Sequence, residues 1–134
     1  ALPDGGNVFL SVSDMHKPQV AEVARMFADL DFKLISTSGT AQALIDAGLE
    51  VKKIPKLAEG RPNALDLLKN NEIQLVVNTP SGQSPRADEV RIRTTAVYTN
   101  TPIMTTLSSA RAVAEGIAAL RKNGYSVKTI QEYH

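Results

Sequence analysis

Phe32-Lys33-Leu34-Ile35-Ser36-Thr37-Ser38-Gly39-Thr40 decides the fold. A short apolar run passes into a hydroxyl-rich turn, and the helical spacing of Ala41, Leu44 and Ile45 follows at once. A strand that hands directly to a helix is the repeating unit of a parallel α/β sheet. The punctuation recurs on both sides. Val8-Phe9-Leu10 runs into Ser11, with Lys17 soon after; Val51 to Ile54 leads to Lys56; Leu75-Val76-Val77 runs into Asn78-Thr79-Pro80-Ser81-Gly82. If these runs lie side by side as parallel strands, their carboxyl ends share one crevice, where open α/β sheets bind ligands. Two lysines, several hydroxyls and an amide would then surround an anion, with phosphate the obvious candidate.

Working outward, residues Ala1 to Gly6 read as a linker or frayed terminus, and residues 7–134 as a single domain. Strands are predicted at Val8–Ser13, Phe32–Ile35, Leu49–Ile54, Ile73–Val77 and Ile103–Thr105. Pro18 suits the first position of a helix, on which Val20, Val23, Ala24, Phe27 and Leu30 form one inward face. Thr40–Ala47 is a second helix with Ala41, Leu44 and Ile45 inward and Gly48 as its left-handed stop. Ala64–Lys69 is a third, carrying Leu65 and Leu68. Arg86–Tyr98 is ambiguous, since its charges favour helix while Val90, Ile92, Thr94, Thr95 and Val97 have β character; the need for a parallel crossover assigns it as helix. The last helix spans Leu107–Lys122, with Ala110, Val113, Ala114, Ile117 and Leu120 inward and Gly124 beyond its end. The expected fold is therefore a single doubly wound α/β domain, Rossmann-like, with a five-stranded parallel sheet flanked by helices. Thr79–Pro85 is long enough to act as a lid.

Composition bounds the function. At 134 residues with 43% hydrophobic content, the chain is expected to build a proper core. No apolar stretch approaches the roughly 20 residues of a spanning helix, and nothing at the start resembles a secretory signal. The net charge of +1 leaves no polyanion footprint, so neither nucleic acid nor membrane is an expected partner. The absence of cysteine excludes a disulfide scaffold and fits a reducing, cytoplasmic setting. The chain begins with Ala1, which reads as a processed chain or a piece of a longer one.

Within the crevice, Thr37-Ser38-Gly39-Thr40 joins a strand end to a helix start, where unpaired N–H groups and partial positive charge gather. An ordinary N-cap uses the same residue types, so both readings stand. Lys17 opens the first helix, where the macrodipole disfavours a cation by roughly 0.3–1 kcal/mol and a bound anion would reverse the sign. Lys56 follows another strand end. Asn78, Thr79 and Ser81 form the opposite wall or a plain turn. Arg86, Asp88, Glu89, Arg91 and Arg93 read as a solvated helix face, and Arg61 as an anion contact or a surface loop. Neither His16 nor His134 sits in a metal-ligand pattern, and no nucleophile–base pair stands out. No catalytic residue and no metal site is expected.

Leu10-Ser11-Val12, Lys17, Thr37-Ser38-Gly39-Thr40, Lys56, Glu59-Gly60-Arg61-Pro62-Asn63 and Asn78-Thr79-Pro80-Ser81-Gly82, in this order and at these separations, resemble a known family. It is the methylglyoxal-synthase-like domain at the carboxyl end of the carbamoyl phosphate synthetase large subunit, and the resemblance runs from about Asn7 onward. It implies an allosteric module that binds nucleotide effectors such as UMP and IMP, or another small activator, in a ligase of pyrimidine and arginine biosynthesis. Ser11, Lys17, Thr37, Thr40, Lys56 and Asn78 would surround effector phosphate and ribose, with Asp88 and Ile92 near ribose and base. Pro80 stands where some relatives carry a phosphate-contacting threonine. Ile103 and Thr105 stand where ornithine-activated relatives have a Tyr-x-Thr pair, which weakens the case for ornithine here. The domain itself would need no cofactor, the parent enzyme using ATP with Mg or Mn. Implied partners are the synthetase domains of the same large subunit, the glutaminase small subunit, and further copies of the domain.

Two rival readings share the fold. Methylglyoxal synthase, a lyase releasing phosphate from dihydroxyacetone phosphate, has a Gly-Gly-Asp stretch whose aspartate would fall at Arg61. A guanidinium cannot serve as the carboxylate base beside a carbonyl. The cyclohydrolase module of purine synthesis lacks a visible catalytic set here.

Overall fold

Val8, Phe9 and Leu10 are all fully buried, so successive side chains on both faces of this strand are covered, as in the centre of a two-sided parallel sheet. The computed structural model describes residue 3, residues 5–80 and residues 86–124. Strand β1 (Asn7–Ser11) leads through a 3-10 turn at Asp14–His16 into α1 (Lys17–Asp29). Then follow β2 (Lys33–Ser36), α2 (Ser38–Asp46), β3 (Val51–Lys53) and α3 (Ala64–Lys69). The remaining elements are β4 (Leu75–Asn78), α4 (Ala87–Tyr98), β5 (Ile103–Met104) and α5 (Leu107–Lys122). The five strands form one sheet in the order β3-β2-β1-β4-β5, every pair parallel.

Alternation along the strands divides the core in two. Val8, Leu10, Leu34, Leu75 and Val77 pack against Val20, Val23 and Phe27 of α1, Leu44 of α2, and Ala110, Ala114 and Ile117 of α5. Phe9, Ile35 and Val76 face the other way, toward Leu65 and Leu68 of α3 and Ile92 and Ala96 of α4. Covering both faces leaves only the strand ends and loops for function.

The expected doubly wound sheet is present, with corrections at element ends. β1 stops at Ser11 rather than Ser13, because the chain turns into the 3-10 segment, which hydrophobic periodicity could not reveal. β3 is Val51–Lys53, shorter than the predicted Leu49–Ile54, and lies at the sheet edge. β4 is Leu75–Asn78 rather than Ile73–Val77, and β5 ends at Met104. α2 begins at Ser38, so Ser38 and Gly39 belong to its first turn. Ile45, expected inward, is 46% exposed. The ambiguous segment is helical over Ala87–Tyr98, and its mixed pattern has a reason: Ile92 and Ala96 are buried while Val90 and Val97 face solvent. Arg93 is not simply solvated, since its Nε and Nη2 are buried and lack hydrogen-bond partners among the described residues. Residues 81–85, which include Ser81 and most of the expected lid, lie outside the described residues, as do residues 125–134.

Each helix is closed by a residue of positive φ just past its cap. Asp31, Asn71 and Asn100 have φ of 67°, 58° and 56°, and Gly48 and Gly124 do the same with 86° and 78°. In four of these closures the next amide reaches back to the helix, as in Phe32 N–H to Phe27 O, Leu49 to Leu44, Glu72 to Leu67 and Thr101 to Ala96. This is the Schellman pattern. It turns each chain sharply toward the next strand, and at α1 it stacks Phe27 edge-on against Phe32 at 5.6 Å.

Candidate functional site

From β1 the chain winds outward through β2 to β3, then crosses back to β4 on the other side of β1. The connections therefore leave in opposite directions from adjacent strands, which opens a crevice beyond their carboxyl ends. A cavity of about 300 Å³ occupies that place, at the small end of the range for ligand sites.

Its floor is set by register. Ser11 and Asn78 are direct neighbours across β1 and β4, and both line the cavity. Asn78 is 1% exposed, and among the described residues its Oδ1 has no hydrogen-bond partner. A buried acceptor left in this state costs roughly 1–3 kcal/mol and is relieved by a donor placed in the crevice.

One wall is the opening turn of α2, with Thr37, Gly39 and Thr40 lining it. Thr37 holds the N-cap position in an extended conformation but makes no side-chain cap bond. The ordinary-cap reading of this turn therefore does not describe Thr37, and the positive end of α2 is not neutralised by its hydroxyl. Lys17 lies against the same turn: a Cβ added at Gly39 would stand 2.7 Å from its Nζ. Only glycine permits that approach. A cation over a helix N-terminus is electrostatically unfavourable, and the ammonium is held there by Asp14. The hydrogen bond and charge of Lys17 hold the Asp14 carboxyl below the usual carboxylate range.

The other wall mixes charges. Lys56 enters from the segment after β3, and Arg86, Asp88, Glu89 and Ile92 from the start of α4. Phe9, Leu57 and Ala64 give it an apolar side. Arg86 and Glu89, read from sequence as solvated, thus belong to the crevice.

Thr40 and Thr79 also line the cavity, but their hydroxyl oxygens are already engaged. Thr40 Oγ1 accepts from Val12 N–H at 3.1 Å, and Thr79 Oγ1 accepts from Ser13 N–H at 3.0 Å. They pin the chain leaving β1 to both neighbouring strands' loops, a role that sequence reasoning missed. Ser13 and Asp14 were missed as well, because the 3-10 turn carrying them was not foreseen.

Ser38 does not line the cavity. Thr105 is exposed beyond β5, outside the crevice. Arg61 does not line the cavity, and its Nη2 is 2.6 Å from Asp66 Oδ1. Among the described residues, no group of three or more His, Asp or Glu side chains could hold a metal ion, and no helix is long and apolar enough to cross a membrane.

Residues 19–105 match the family model described as MGS-like domain. The chain is 44% identical over 133 residues to the carbamoyl phosphate synthase large chain of Acidobacterium capsulatum, covering 99% of this chain and 12% of that protein. It is 41% identical over 138 residues to the C-terminal section of the large chain of Aquifex aeolicus, covering 99% of this chain and 26% of that section. The chain thus spans only a small part of the curated relatives it matches. Among solved structures, methylglyoxal synthase from Elizabethkingia anophelis superposes with a TM-score of 0.67 at 20% identity, over 84% of this chain and 79% of that one. At that identity the likeness speaks for the fold alone.

Proposed function

This chain belongs to the MGS-like domain family, and from that premise we propose that it is the effector-binding regulatory domain of a carbamoyl phosphate synthase large chain. The ligand is a phosphorylated small molecule of nucleotide type, seated at the β1/β4 switch point. One observation supports this reading: a helix start without a side-chain cap, overlain by Lys17, shares a crevice with a buried acceptor on Asn78 that has no partner among the described residues. The first half of that arrangement calls for an anion. The second calls for a donor, which the ionised oxygens of a phosphate do not supply. A phosphate ester with hydroxyl or N–H groups satisfies both. Asp88 on the far wall offers a further acceptor for such groups.

The crevice touches β1, β4, and the starts of α1, α2 and α4, so occupancy ties together the two halves of the sheet. Coupling of about 1–3 kcal/mol to the rest of a synthase is typical of such regulation. The synthetase domains and a glutaminase subunit are the partners this reading implies. A lyase reading finds less support, because Arg61 occupies the position that resemblance assigns to the catalytic aspartate, with its guanidinium bonded to Asp66.

A thermal-denaturation panel of nucleoside monophosphates tests the proposal. A ligand at a hundred times its dissociation constant stabilises by about 2.7 kcal/mol, and UMP or IMP is expected to raise the midpoint by several degrees. No shift with any nucleotide, together with turnover of dihydroxyacetone phosphate, would reverse the assignment.

A further inference from the structure

Beside the crevice, and outside its lining, His16 ends the 3-10 turn just before Lys17. Its Nδ1 lies 2.8 Å from Ser13 Oγ and 3.1 Å from Thr79 Oγ1. Both hydroxyl residues line the cavity. We propose that His16 is a positioning residue for the ligand: by accepting or donating at Nδ1 it sets which way the Ser13 and Thr79 protons point, and so makes anion binding proton-linked. The inference rests on the anion-site reading given above.

Thr79 Oγ1 already accepts from Ser13 N–H, which leaves it one further lone pair and its proton. A neutral imidazole with its proton on Nε2 presents a lone pair at Nδ1, which draws a hydroxyl proton toward itself and away from the crevice. Protonation places N–H at Nδ1. The ring then shares its one Nδ1–H with the nearer Ser13 Oγ and, more weakly, Thr79 Oγ1, and the hydroxyl protons are free to turn toward an anion. It also sets a positive charge one residue from Lys17. Both changes favour a negatively charged ligand.

The charged groups around the site are Asp14 on the same turn, Lys17 on α1, Lys56 after β3, and Arg86, Asp88 and Glu89 at the start of α4. Among side chains of these kinds, imidazole alone ordinarily changes charge between pH 5 and 8. Phosphate monoesters titrate near pH 6 themselves. Inorganic sulfate, dianionic throughout, is therefore the probe.

The test is sulfate affinity by calorimetry from pH 8.5 to pH 5.5 for the chain and for His16→Asn, whose amide donates from the same place without titrating. The expected result is about a tenfold tightening toward low pH, the effect of one charge-assisted hydrogen bond, and a flat profile in the variant. Binding that is pH-independent in the unmodified chain, or a slope that survives in His16→Asn, overturns this inference and leaves the anion site standing. Absence of sulfate binding at every pH overturns this inference, while the phosphate-ester reading is decided separately by the nucleotide titration. Nitrogen NMR of the imidazole gives a readout independent of the variant's folding: Nε2–H at pH 8.5 supports the inference, and Nδ1–H overturns it.

Discussion

At the scale of single residues, the site turns on how close Lys17 comes to Gly39. A methyl group at position 39 would sit 2.7 Å from Nζ, and the flexible end of the lysine must yield. Gly39→Ala is therefore expected to weaken anion binding about tenfold while leaving the fold intact, since alanine favours a helix over glycine by roughly 1 kcal/mol. Calorimetry paired with a denaturation curve checks both halves. Under the proposed function Asp14 would compete with a ligand for the ammonium it pairs with, though its side chain is 94% exposed. Asp14→Asn should tighten nucleotide binding a few-fold, in keeping with the small energies of exposed ion pairs; unchanged affinity would mean that Lys17 contributes little. Lys17, Thr37, Lys56 and Asn78 were legible in the sequence because each follows an apolar run at a strand's carboxyl end. Asp14 and Ser13 were not, because the alternation of Val8–Ser13 imitates a longer strand. Nor could sequence distinguish a capping Thr37 from an idle one, as that depends on a rotamer.

At the scale of elements, the helix ends carry much of the local specification. Gly48 and Gly124 announced their helices' ends, being the residues that reach positive φ without strain. Asp31, Asn71 and Asn100 do the same work less comfortably and went unread, since each is also an ordinary surface residue. Asp31→Gly should accordingly stabilise the chain by about 1 kcal/mol, seen as a higher urea midpoint with unchanged slope. α3 shows the opposite kind of end. Asn63 Oδ1 accepts from Leu65 N–H and Asp66 N–H, and Asp66 returns a bond to Asn63 N–H. Losing this reciprocal cap in Asn63→Ala is expected to cost about 1–2 kcal/mol, measured the same way. The sequence reading took Asn63 as loop, yet placed α3 and α5 at the observed Ala64–Lys69 and Leu107–Lys122. Apolar spacing fixes a helix body; a cap needs the geometry of the residue before it.

For the whole molecule, strand order was the missing information. Periodicity and turn residues made five strands and five helices legible, but nothing local says that β4 returns to the far side of β1. That crossing places Asn78 beside Ser11 and brings α4 to the crevice. It also explains why charges read as solvent-facing on α4 line the cavity. The ion pairs around this frame have a shared pH signature. Asp14, Glu22 and Asp66 all titrate below their ordinary values, through hydrogen bonds and charge from Lys17, Arg111 and Arg61 respectively. A carboxyl whose folded pKa is depressed contributes stability above its unfolded value, and that contribution is lost as pH falls through the folded one. With ordinary values of 3.8 for Asp and 4.5 for Glu, the urea midpoint is expected to hold at neutral pH and to fall below about pH 4.5. The central claim, that one crevice at the switch point takes a phosphate ester that also donates hydrogen bonds, is tested most directly by calorimetry. UMP, its nucleoside and inorganic phosphate would be titrated in turn into the chain and into Lys17→Ala. The nucleotide should bind well, either half alone at least tenfold more weakly, and Lys17→Ala should lose most nucleotide affinity; equal binding of UMP to both proteins would rule this site out.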